Sequence, residues 1–231
     1  MSQFKPAGTY KTGGIGSRAP VSGEIFSELI NLAGRQRMLS QRIVLHAVLA
    51  SLKQEKAAET ARAALVLFRD SHATLVQGKG NLPGVFFDAL RSAYFGDIHG
   101  DKTIMEFIDL AERTLRASET GTSQAPVLLA ELVTHIDPML QLLNRITVIY
   151  EDESRRHALA MKKHLHAVMN DIQTIAKRAR IVSFNAQIVA AGAGDAGRGF
   201  AVVAGELTKI TGEIDKLVQA ALSGEEKSSS S

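Results

Sequence analysis

The stretch AAGAGDAGRGFAVVAGE, Ala190–Glu206, decides how the chain is to be read. Gly192, Gly194 and Gly197 stand at G-x-G-x-x-G spacing behind the apolar run IVSFNAQIVAA, Ile181–Ala191. A dinucleotide loop shares this spacing, because a strand, a tight glycine turn and a helix start together receive pyrophosphate. Such a loop also needs a βαβ unit with a parallel sheet around it. Here Ile181, Phe184, Asn185 and Ile188 recur at helical steps, and no alternating strand runs flank them. Asp215 falls where a ribose-binding acid would, but acids are common in helices. Glycines at these positions also suit a turn that reverses a long helical hairpin, where positive φ and close backbone approach are required.

Outward from this turn the chain reads as helix almost throughout. Ser22 is a plausible N-cap for a helix from Gly23 to about Lys53, whose apolar stripe is Ile25, Leu29, Leu32, Leu39, Ile43, Ala47 and Ala50. A second helix spans Ala57 to Gln77, with Ala61, Ala64, Leu65, Phe68, His72 and Leu75 on one face. GKGNLPG, Gly78–Gly84, reads as a loop. Shorter helices follow at about Val85–Tyr94 and Thr103–Ser118. The pattern resumes at Val127 and continues to Ala190, with Pro138 kinking the helix or splitting it at His135–Asp137. A last helix runs back over Gly199–Leu222. The fold class is all-α: a helical bundle followed by a long antiparallel helical hairpin.

Composition narrows the function. The 231 residues are 45% apolar and 22% charged, as a globular domain requires, and the net charge is only +3. No basic block interleaved with aromatics suggests a nucleic-acid groove. Without cysteine there are no disulfides or thiolate metal sites. His164 and His166 share a helix with His157 but point apart, and the other histidines lack ligand spacing, so no metal is expected. No Ser/His/Asp or paired-carboxylate arrangement suggests catalysis, and nothing calls for a cofactor. Met105, Met139, Met161 and Met169 read as core fillers. No apolar run approaches the roughly 20 residues of a membrane span, and MSQFKPAGTYKTGGIGSRAP has no apolar centre, so a cytoplasmic chain is expected. Residues 1–22 read as a flexible arm and 223–231 as a disordered tail.

A second constellation is INLAGRQRMLSQRI, Ile30–Ile43. Asn31, Gly34 and Gln41 lie roughly opposite the apolar stripe, with Arg37 flanking them. A glycine in mid-helix costs about 1 kcal/mol against alanine, so it wants a reason. Arg37, one turn on, can send its planar donor fork into the space the missing side chain leaves, which suits a small planar oxyanion, above all across a two-fold axis. The plainer alternative is a solvated face of Arg35, Arg37 and Arg42, with Gly34 easing packing.

Two resemblances add to these readings. NAQIVAAGAGDAGRGFAVVAGELTKIT, within about Asp171–Leu217, closely resembles the signalling tip of methyl-accepting chemotaxis transducers, an antiparallel hairpin that docks on a histidine kinase and its coupling protein. The resemblance places Asn185, Asp195, Gly199 and Val202 at that contact, and Arg198 and Phe200 at the turn. Where that family usually has Glu and Arg for assembling trimers of dimers, this chain has Val189 and Gly192, and the long adaptation helices are essentially missing. INLAGRQRMLSQRI in turn resembles PilJ-type transducer N-terminal domains, over about Gly23–Arg116, and is similar to the P-box of nitrate/nitrite sensors. That likeness implies anion binding at Gly34 and Arg37 across a dimer interface.

The expected organisation is a sensory bundle over 23–120, a connecting helix over 121–170 and a signalling hairpin over 171–222. The expected protein is a homodimeric signal transducer, not an enzyme, that senses a small anion (nitrate or nitrite) at Asn31, Gly34, Arg37 and Gln41. Its alternative is a helical scaffold that has lost ligand sensing.

Overall fold

The computed structural model describes residues 21–228, with side chains as far as Leu222. The expected arm (apart from Val21 and Ser22) and the last residues of the expected tail, 229–231, lie outside the described residues. The described chain is all-α apart from one small ribbon, and it divides into two compact units between Arg155 and Arg156.

In the first unit, α1 (Gly23–Ser51) starts at Ser22, whose hydroxyl accepts from the Ile25 N–H at 3.3 Å. α2 (Ala57–Gln77) packs along α1. Ala33 and Ala47 on α1 and Ala57, Ala61 and Ala64 on α2 are buried, small enough to let two backbones approach. The expected loop at Gly78–Gly84 instead holds a ribbon, β1 (Gly78–Lys79) antiparallel to β2 (Leu82–Pro83). Its two-residue turn is Gly80-Asn81, with Gly80 at φ 60, the chemistry a tight hairpin needs. α3 (Asp88–Phe95) begins later than expected because Val85, Phe86 and Phe87 pack onto the core, and Phe87 is extended.

α4 (Gly100–Thr120) is tied to α2 by ion pairs Arg62–Glu119 and Arg69–Glu112. α5 (Ala125–Thr134) and α6 (Ile136–Gly192) part at His135. Pro138 therefore sits in the first turn of α6, where no intrahelical N–H is lost. The core is built from large side chains: Phe68 against Phe107 at 5.7 Å, Phe26 against Phe86 at 5.8 Å and Phe87 against Tyr150 at 6.3 Å. Met139 is buried there, but Met105 and Met161, expected as core fillers, are exposed. Contrary to expectation, α5 and α6 contain one window long and apolar enough to cross a membrane by length and composition. Leu128, Leu132, Met139, Leu143 and Ile146 in these helices are buried in the bundle, while only 22% of the apolar window is buried and Val127 and Val133 stay exposed.

The second unit is a hairpin. The rest of α6 meets a 3-10 turn, Gly194–Gly197, and α7 (Arg198–Ser228) returns antiparallel, pairing Gln187 with Thr208 and Arg180 with Asp215. α7 continues past Leu222, where a disordered tail was expected, because GEEK contains good helix formers and no proline. Gly194 takes φ 56, and a Cβ on Gly197 would collide with the Ala190 carbonyl, so both glycines serve the reversal. The nucleotide reading of these glycines has no strand to stand on.

Candidate sensory and docking sites

The four anion-site candidates all lie on α1, and two of them meet directly. Arg37 reaches back over Gly34, so that a Cβ there would stand 3.7 Å from its Nη2. Its Nη1 donates to Asn144 Oδ1 on α6 at 2.6 Å. Asn31 lies about 120° from Arg37 around the helix and therefore faces elsewhere. It lines an open cavity of 510 Å³ with Glu28, Arg35, Thr74, Lys79 and Asn81. Gln41 is exposed to solvent. The structure thus joins Gly34 and Arg37, adds Asn144, and places Asn31 in a separate cavity, while Gln41, seven residues after Gly34, lies exposed on the same face of α1.

Arg37 differs from the ion-paired arginines of the described residues. Arg62, Arg69, Arg113, Arg155, Arg180 and Arg198 each sit against a carboxylate. Among the described residues Arg37 has no carboxylate partner, only the Asn144 amide. A neutral acceptor orients a guanidinium without neutralising it, so the positive charge remains available to an anion. Beside it, Gln36 is fully buried on the inner face of α1, with neither amide atom hydrogen-bonded to the described residues. That arrangement costs on the order of 1–3 kcal/mol. No spacing rule marks Gln36, because it occupies an ordinary core position of the stripe.

A polar cluster lies deeper in the bundle. His72 Nε2 is 2.8 Å from Asp101 Oδ1, and its ring lies 5.9 Å from that of Tyr94. Burial pushes the His72 imidazole below its ordinary value, against the opposing pull of the Asp101 hydrogen bond and charge. Burial likewise raises the Tyr94 phenol well above its usual range, helped by neighbouring Tyr150, whose own phenol burial raises as well. These groups brace α2, α3, α4 and α6.

At the hairpin tip Asn185, Asp195, Arg198 and Gly199 are exposed, as are Phe200 at 67% and Val202 at 73%. Arg198 pairs with Asp195 across the turn at 3.2 Å. Phe200 is held by no burial within the hairpin. The hairpin's buried positions are Ala176, Ser183, Ala190, Gly197, Ala204, Thr211 and Val218, one every seven residues on both arms. Sequence reasoning missed this seam, since small residues carry little hydrophobic signal. The expected stripe Ile181, Phe184, Asn185 and Ile188 faces outward instead.

Two family models match separate parts of the chain. Residues 134–226 match the methyl-accepting chemotaxis protein (MCP) signalling domain. Residues 24–86 match the type IV pili methyl-accepting chemotaxis transducer N-terminus, PilJ. The chain is also 36% identical over 83 residues to a probable methyl-accepting chemotaxis protein of Bacillus thuringiensis subsp. konkukian. That alignment covers 33% of this chain and 11% of the relative, so the chain spans a small part of that protein's length. No solved structure matches. The chain carries a PilJ-type segment and a chemoreceptor-type signalling segment, both from signal-transducer rather than enzyme families, which supports chemotaxis-type signal transduction.

Proposed function

We propose that the chain is a homodimeric transducer that binds a small planar oxyanion, nitrate or nitrite, at Gly34 and Arg37. The observation that carries this reading is the Arg37 guanidinium, folded over a glycine and held by an amide rather than a carboxylate. A second Arg37 across a two-fold axis would make an intervening anion strongly favoured, because two bare guanidiniums repel. The hairpin then presents Asn185, Asp195, Arg198, Gly199, Phe200 and Val202 to a cytoplasmic histidine kinase and its coupling protein. In this scheme residues 23–120 sense, 121–170 connect and 171–222 signal.

Dimerisation has separate support in the hairpin. Leu165, Val168, Ile172, Ile175, Val182 and Val189 form an exposed stripe along α6, and Val203, Leu207, Ile210 and Leu217 form another along α7. Each arm therefore carries a small-residue seam inward and a large apolar stripe outward, as an arm of a four-helix bundle does.

Ligand binding to the folded dimer alone stabilises it by RT ln(1 + [L]/Kd), about 2.7 kcal/mol at a hundredfold excess. Nitrate or nitrite is expected to raise the melting temperature well beyond chloride at equal ionic strength, and Arg37→Ala to remove that difference. Equal responses from wild type and Arg37→Ala to every anion tried would transfer the lead to the second reading. In that reading the chain is a helical scaffold without ligand sensing, favoured by Val189 and Gly192 standing where trimer-forming charges are expected.

A further inference from the structure

We infer that Asn144 is the positioning residue of the anion site: a neutral acceptor that aims the Arg37 guanidinium and leaves its charge uncompensated. This inference rests on the reading of Gly34 and Arg37 proposed above. Among the described residues two guanidiniums lie over a glycine with Nη2 3.7 Å from the place of the missing Cβ: Arg37 over Gly34 within α1, and Arg180 of α6 over Gly212 of α7. Their ends differ. Arg180 Nη2 donates to Asp215 Oδ2 at 2.7 Å, a charge-compensated clamp between the two hairpin arms. Arg37 Nη1 donates to Asn144 Oδ1 at 2.6 Å, between residues 107 positions apart on α1 and α6.

One amide oxygen fixes the rotation of the fork but engages only one of its five N–H groups. The Nη2 edge beside Gly34 keeps its donors, and the cation keeps its full charge. A carboxylate at position 144 would be nearly the same shape, yet it would turn the site into a copy of the Arg180–Asp215 clamp. The difference between Asn and Asp at this position is therefore a difference in charge rather than in packing, which makes the role separable from a structural one.

Asn144→Asp, Asn144→Ala and Asn144→Gln are titrated calorimetrically with sodium nitrate in the full chain, beside wild type and Arg37→Ala. Asn144→Asp is expected to weaken nitrate binding at least about tenfold, because a like charge then competes for the guanidinium. It should also melt slightly higher than wild type in nitrate-free buffer, through the new ion pair. Asn144→Ala should lose only a few-fold in affinity, and Asn144→Gln, which keeps a neutral acceptor, should recover most of that loss. If wild type binds nitrate, Arg37→Ala does not, and Asn144→Asp binds like wild type, the positioning role is overturned while the anion site stands. If wild type binds no nitrate, the anion reading fails and this inference falls with it.

Discussion

The two units solve the burial problem in opposite ways. The first buries Phe26, Phe68, Phe107, Tyr94 and Tyr150 among its own helices. The second buries mostly Ala, Ser, Gly and Thr, and leaves Ile175 65% and Val182 62% exposed. Small side chains bring two helices close but remove little apolar surface from water, and each buried methylene contributes only about 0.8 kcal/mol. The bundle thus carries a core of its own, whereas the hairpin leaves a large apolar surface exposed, which the proposed dimer would cover.

Substitutions of large apolar residues test that contrast most strongly. Phe68→Ala should destabilise the bundle by about 3–5 kcal/mol, as a truncated buried ring does, and the loss should not depend on protein concentration. Ile175→Ala, at an exposed position, would cost under about 0.5 kcal/mol in a lone hairpin. If a second copy covers that stripe, the same substitution should cost about 2–5 kcal/mol and shift the dimer toward monomer on dilution. Urea melts at several concentrations, with light scattering, separate these outcomes. A concentration-independent cost below the lower figure would remove the stripe from any interface.

What could be read from sequence follows the same line. α1 and α2 were legible because Ser22 caps α1 and because Leu29, Ile43, Phe68 and Leu75 are large enough to mark a buried face. The ribbon was not, since two-residue strands have no periodicity to detect. The hairpin turn was legible from its glycines, but the seam at Ala176, Ser183 and Ala190 was not, because only the partner arm decides which alanines are buried. Gly34 and Arg37 were found through a local rule about glycine in mid-helix. Asn144 could not be, as it reaches Arg37 only through the fold.

The seam itself is open to a smaller perturbation. Ala204 is buried between the arms. Ala204→Leu adds methylenes where the helices lie closest, and overpacking of this kind costs about 1–3 kcal/mol. The arms should be forced apart, with Arg180–Asp215 weakened, while the bundle's melting transition is unmoved. Limited proteolysis that cuts wild type and the variant at equal rates within 171–222 would mean that the seam is loosely packed after all.

The finest contrast between the units is their response to acid. The bundle buries an imidazole, His72, against Asp101 and Tyr94, and the hairpin seam buries no titratable side chain among the described residues. Because burial lowers the His72 pKa below the ordinary 6.5, the unfolded chain takes up the proton before the folded one does. The stabilisation from keeping this ring neutral is therefore complete above pH 6.5 and is lost as pH falls below it, until the folded state also protonates. A single group cannot contribute more than about 1.4 kcal/mol per pH unit, so the effect is gradual. The melting temperature of the bundle should decline steadily on acidification from pH 7 to pH 5. His72→Gln, which can still donate to Asp101 but does not titrate, should flatten that decline. An unchanged slope in the variant would show that His72 is not the source of the acid sensitivity, and would leave the His72–Asp101 pair as a pH-indifferent brace between α2 and α4.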